Sequence, residues 1–203
     1  MLKVHILGGP GSGKTTLAEC IASRFHVPRY DLDQWGWKHG TNGVAYIDDA
    51  FAIAEQPGWV TEGIYLLWVD PLLYQADYIV LLEVSWPVAA WRIIRRHIIK
   101  SVCRINPYPT RLLFGFLKNT HDYIVNRCTA EKTEAMRVYL EEHGTTIEPP
   151  STDLLLMRLE RYWGGIPPTA EFVHKYLEKY KEKVIVVKNN ADRDRLLAML
   201  GNI

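Results

Sequence analysis

Residues 8 to 15 read Gly8-Gly9-Pro10-Gly11-Ser12-Gly13-Lys14-Thr15, which satisfies the pattern G-x-x-x-x-G-K-[ST]. Gly8, Gly11 and Gly13 permit a tight backbone turn in which successive N–H groups face inward toward phosphate oxygens. Lys14 then supplies a point charge for the β- and γ-phosphates, Thr15 a hydroxyl ligand for Mg²⁺, and Thr16 a further phosphate contact. The chain has no Asn-Lys-x-Asp segment of the kind guanine-specific domains carry, so the expected nucleotide is ATP.

Acids stand where a loop of this type needs them. Tyr30-Asp31-Leu32-Asp33 ends a short apolar stretch, and strand alternation would send Asp31 and Asp33 to the same side. One carboxylate could hold Mg²⁺ through water while the other accepts a proton from an acceptor hydroxyl; a solvated turn is the alternative. Asp31 is assigned to the metal and Asp33 to the proton. Trp59-Val-Thr-Glu62-Gly63 ends another strand with an acid, and Glu62 is expected to be a second ligand of the Mg²⁺-bound water.

A basic stretch follows. Between Glu83 and Asp122 there is no acid, while Arg92, Arg95, Arg96, Lys100, Arg104, Arg111 and Lys118 are all present. Arg92 and Arg96 are four apart and share a helix face, where a guanidinium pair could close over transferring phosphates. A solvated helix face and a nucleic-acid patch are the alternatives, and the apolar neighbours Trp91, Ile93, Ile94, Ile98 and Ile99 favour a packed helix.

The elements that must position these residues alternate between two periods. Residues 2 to 7 (LKVHIL) read as a buried strand, and Leu17, Ala18, Ile21, Ala22 and Phe25 recur at helical spacing. Further strands fit 27 to 32, 59 to 65, 77 to 84 and 183 to 188, with helices over 44 to 55 and after the last strand. Such alternation predicts an α/β fold: a five-stranded parallel sheet with helices on both faces and ligands at the carboxyl ends of the strands. From about 101 to 181 only helical patterns appear, read as an insertion within one domain of 203 residues and in part as a lid.

The whole chain carries 24 Lys and Arg against 23 Asp and Glu, with 48% apolar and 23% charged residues. That balance excludes disordered and fibrous classes, gives no overall field toward nucleic acid or an anionic membrane, and leaves any electrostatic specialisation local. No apolar run approaches the roughly 20 residues of a spanning helix. The start runs straight into the glycine loop without a signal-peptide pattern, and Cys20, Cys103 and Cys128 form no C-x-x-C pair. Free thiols in a reducing cytoplasm are expected.

Together GGPGSGKTT, YDLDQW, WVTEGIY, ADYIVLLEV and WRIIRRHI resemble the adenylate-kinase-like small P-loop kinases, most closely the group known as DNA topology modulation proteins. The likeness covers about residues 1 to 100 and the last twenty. It implies a P-loop NTPase fold with β1 at the centre, ATP with Mg²⁺, lid arginines at Arg92 and Arg96, acids at Asp31 and Asp33, and an adenine near Lys188 to Asn190, with Asn189 in contact. It also implies an ATP-dependent small-molecule kinase. One departure concerns the acceptor: from Tyr30 to Asp77 the only Lys or Arg is Lys38, among eight acids. A neutral, hydroxyl-bearing acceptor is therefore expected, with Trp35, Trp37, Tyr65 and Trp68 offering flat surfaces for a ring. A nucleotide-dependent regulator of nucleic acid and an ATPase without acceptor remain the competing functions.

Overall fold

The computed structural model describes residues 1–35, 38–40, 42–162 and 168–201. Trp37 lies outside them, and the side chain of Trp35 is likewise not described. Five strands, β1 (Lys3–Gly8), β2 (Arg29–Asp31), β3 (Trp59–Glu62), β4 (Tyr78–Leu82) and β5 (Val184–Val187), form one sheet in the order β2-β3-β1-β4-β5. Every pairing is parallel. The chain leaves β1 toward one edge and later crosses to the other, so the carboxyl end of the central strand is the switch point where such sheets bind ligands.

Alternate residues of the strands feed two cores. Val4, Ile6, Val60, Val80 and Val187 meet Leu17, Ile21, Leu196 and Leu200 of the helices α1 (Lys14–Phe25) and α10 (Asn190–Leu200) on one face. Leu7, Trp59, Ile79 and Leu81 meet the second core, which includes α3 (Gly43–Ala54) and α4 (Asp70–Gln75). His5 lies within β1 itself, fully buried, with Nδ1 2.7 Å from Thr61 Oγ1; burial pushes its pKa down to about 3, so it is a neutral core residue.

The strands β2 to β5 are shorter than the apolar runs suggested, and a local cap sets the end of β2. The second stops at Asp31, whose carboxylate accepts from the Asp33 amide (3.0 Å) and opens the short helix α2 (Leu32–Trp35). After β4, α5 (Trp86–Val102) and α6 (Leu113–Ile124) pack against each other, followed by α7 (Ala130–His143), α8 (Thr152–Tyr162) and α9 (Ala170–Leu177). Met136, Tyr139, Leu155, Leu159, Phe172 and Tyr176 from the last three are buried in the same core as Leu7 and Trp59. The helices α7, α8 and α9 are thus built into the body of the sheet domain. Among the described residues no helix is long and apolar enough to cross a membrane.

Candidate functional site

Gly11 and Gly13 adopt φ values of +77° and +100°, which L side chains rarely tolerate. They turn the chain from β1 into α1, and the Ser12 amide closes the turn on the Gly9 carbonyl at 3.2 Å. Gly13 is the N-cap of α1 and no side chain caps it, so the helix presents its first amides and positive end at the loop. The Ser12 hydroxyl is buried there without a partner among the described residues. A cradle of this form, holding an unpaired hydroxyl, suits phosphate oxygens.

Lys14 is only 9% exposed, with its ammonium 3.5 Å from the Asp33 carboxylate. Asp33 reaches this position from the first turn of α2 and not by the strand alternation expected above; its side chain is 49% exposed and open to the crevice. Thr15 Oγ1 donates to Glu62 Oε2 at 2.9 Å, and the other oxygen of Glu62 accepts from Arg29 Nη1 at 2.6 Å. Glu62 is 1% exposed, and burial raises its pKa, with the neighbouring Asp31 adding to the rise and Thr15, Lys14 and Arg29 opposing it. Asp31 stands beside Glu62 in the β2–β3 register.

Thr15, Asp31 and Glu62 are hard oxygen donors gathered below the loop, the set Mg²⁺ prefers. Both oxygens of Glu62 already have partners, which suits contact through a metal-bound water. No group of three or more His, Cys, Asp or Glu forms a metal cage among the described residues.

The arginines expected to close over phosphates divide. Arg92 Nη1 donates to the carbonyls of Gly11 (3.2 Å) and Ser12 (2.9 Å), which ties α5 to the loop, and Arg92 also lines a cleft beside the loop. Arg96, one turn on, is exposed to solvent. The helix α5 lies so close that a Cβ at Gly11 would sit 2.8 Å from the Ala89 carbonyl oxygen.

Beside the loop a cleft of about 610 Å³ opens between Gly9, Glu83, Tyr123, His174, Lys188 and Asn189. Asn189 lines it, and its side chain is engaged as the N-cap of α10, accepting from the Asp192 amide at 3.0 Å. Sequence reasoning missed three of the lining residues. Glu83 is bridged by Lys188 Nζ at 3.1 Å and by His174 Nε2 from α9; Tyr123 packs its ring on Gly9, where a Cβ would meet it at 2.5 Å. It also missed Arg29, one residue before the stretch whose cations were counted. Tyr65 and Trp68, expected as ring platforms, stack at 5.4 Å between centroids, with Trp68 buried in the core.

No family model matches this chain, and no curated protein does, so the likeness to the topology modulation group rests on the quoted motifs alone. Among solved structures the chain is similar to a shikimate kinase from Bacteroides thetaiotaomicron at 14% identity, covering 98% of each chain with a TM-score of 0.44. It is similar in the same measure to a gluconokinase from Sinorhizobium meliloti 1021, at 14% identity over 98% of this chain and 95% of that one, with a TM-score of 0.44. At this level of similarity neither neighbour's substrate is carried over to this chain.

Proposed function

We propose that the chain transfers the γ-phosphoryl group of ATP to a hydroxyl of a small, uncharged acceptor. The observation that carries this reading is Asp33, a solvent-open carboxylate 3.5 Å from the Lys14 ammonium at the mouth of a phosphate loop. An acceptor hydroxyl bound beside Asp33 would give its proton to that carboxylate as its oxygen bonds to the γ-phosphorus, while the bond from that phosphorus to the β–γ bridging oxygen breaks and ADP departs. Lys14 stabilises the negative charge spread over the transferred group, and Arg92 holds the loop that carries it. Mg²⁺, held by Thr15 and through water by Asp31 and Glu62, would neutralise phosphate charge when bound.

The charge of the acceptor follows from what the nearby cations already do. Arg29 is committed to Glu62, and Lys38 lies 3.7 Å from Asp49. No uncommitted Lys or Arg between residues 29 and 77 is available, among the described residues, to clamp a second phosphate beside Asp31 and Asp33. An uncharged nucleoside, sugar or polyol avoids that repulsion, which at about 4 Å and an effective dielectric near 20 is of order 4 kcal/mol.

The test is ATP consumption screened across nucleosides, nucleoside monophosphates, sugars, polyols and shikimate-like acids, with the product identified by mass. Uncharged acceptors should exceed monophosphates in kcat/KM. Asp33→Asn should lower kcat with ATP affinity nearly unchanged. Efficient transfer to a monophosphate that survives Lys38→Ala would overturn the neutral-acceptor assignment, and ATP turnover without any phosphorylated product would replace the kinase with an ATPase.

A further inference from the structure

We propose that the α5–α6 hairpin is a docking surface for an anionic lipid bilayer. The segment between Glu83 and Asp122 holds seven of the chain's 24 cations and no acid, so the remaining 17 face 23 acids elsewhere. A molecule with a formal charge of +1 thus keeps +7 along this segment and a deficit of six over the rest; Arg92 is turned onto the phosphate loop, and the other six cations belong to the projection.

The same projection carries apolar side chains that the fold leaves in water. Trp91, Ile98 and Val102 recur at helical spacing along α5 and are 65%, 54% and 78% exposed. Beyond the helix, Ile105, Tyr108 and Phe114 are 67%, 69% and 79% exposed. The sequence alone suggested that the apolar neighbours of the arginines pack inward; of these, Ile93 does, at 3% exposed. Isolated exposed apolar residues are ordinary, but a run of them on one projection, interleaved with cations, marks an interaction surface.

The tip is a built structure. Asn106 Nδ2 lies 2.9 Å from Ser101 Oγ and 3.0 Å from His97 Nδ1, and its Oδ1 accepts from the Tyr108 amide at 3.1 Å. His97 Nε2 lies 3.1 Å from Thr110 Oγ1. Polar side chains fold the loop on itself, so the apolar ones point outward with no role in holding it together.

Charge and chemistry select the occupant. The same face of a second copy would bring two acid-free cationic surfaces together. Single-stranded nucleic acid wants aromatic platforms, yet half of the side chains named above are aliphatic and have no π-face to stack on a base. Aliphatic and aromatic groups that enter the boundary of a bilayer, ringed by Lys100, Arg104, Arg111 and Lys118 at headgroup level, match an anionic leaflet on both counts. The near-neutral total had argued against a membrane partner; the local distribution is what a surface responds to. The proposal is independent of the phosphoryl-transfer reading.

The experiment is flotation of the full chain with vesicles of phosphatidylcholine alone or with about 30% phosphatidylserine. At least tenfold greater partition onto the anionic vesicles is expected, falling steeply in about 0.5 M salt. Val102→Ser/Phe114→Ser and Arg104→Glu/Arg111→Glu should each reduce partition about tenfold or more while keeping the wild-type melting temperature and ATP affinity. Failure to bind anionic vesicles at low salt overturns the proposal, as does binding by either variant equal to that of the wild type. Binding to a labelled oligonucleotide without vesicle binding, or self-association abolished by Val102→Ser/Phe114→Ser, would assign the surface to those partners and equally overturn it.

Discussion

Lys14 combines two properties that set the consequence of removing it: it is nearly buried, and among the described residues its ion pair is with the half-exposed Asp33. A pair of that kind contributes about 1 kcal/mol or less to stability, whereas a charge preorganised at a transferring phosphoryl group is worth roughly 10²- to 10³-fold in rate. Lys14→Met should therefore leave the circular dichroism spectrum and melting temperature near wild type and remove ATP-dependent product formation; near wild-type turnover would end the assignment of the loop. Arg29 behaves in the opposite way. With Glu62 1% exposed, Arg29→Met strands a buried carboxylate and should cost about 2 kcal/mol in urea unfolding. Adding Glu62→Gln to that variant should recover most of the loss, a coupling that independent sites would not show.

The loop and α5 are locked as elements, and two glycines report on how. An alanine at Gly11 would need φ +77° and would press its Cβ within 2.8 Å of the Ala89 carbonyl, so a whole helix must shift; at Gly13 the nearest group is the Arg92 guanidinium at 3.7 Å, leaving only backbone strain of about 1–2 kcal/mol. Gly11→Ala should lower the melting temperature and ATP affinity more than Gly13→Ala, in thermal melts and nucleotide titrations, and the reverse order would show that α5 does not hold the loop. How legible these elements were depends on range. The run from β1 through Gly13 to α1 was readable because a period change, a glycine pattern and a Lys-Thr pair coincide within 25 residues. Asp31 was expected to continue a strand because alternation is a local rule, and the alternative left open there, a turn, is the one its carboxylate closes by accepting from the Asp33 amide. The helix α4 carried a readable sign, Pro71 in the first turn after Asp70, that went unused. Glu83 and His174 meet across 91 residues of sequence, a separation at which no spacing rule operates.

At the scale of the whole molecule, the helices α8 and α9 are tied to α4 by a buried polar cluster. Arg158 Nη1 donates to Asp70 at 2.5 Å, Tyr176 donates to the other Asp70 oxygen at 2.6 Å, and Lys179 donates to the His143 carbonyl at 2.8 Å with its ammonium 4.0 Å from both Asp70 and the Tyr176 ring centroid. Removing one partner of such a pair exposes the other's desolvation, so Arg158→Met should cost about 3 kcal/mol and lower the melting temperature by roughly 6–12 °C. Lys179 gives the cluster a pH signature. Burial lowers its pKa to about 8 from the ordinary 10.5, against the attraction of Asp70 and Glu148, with Arg158 reinforcing the shift. Between those values the unfolded chain holds a proton that the fold has released, so stability rises with pH. Below pH 8 both states are protonated and the dependence vanishes. Above about pH 10 the sign reverses, because burial raises the pKa of Tyr139, Tyr176 and Tyr180 and the fold then retains protons that the unfolded chain loses. Urea unfolding of the wild type should therefore show a gain of about 1 kcal/mol from pH 8 to about 9.5, before the tyrosines offset it. The gain should be largely absent in Lys179→Met, which is more stable than wild type at pH 7 if the desolvated ammonium outweighs its contacts. An equal slope in the two proteins would mean that Lys179 is solvated, and that α9 does not close over Asp70 in solution.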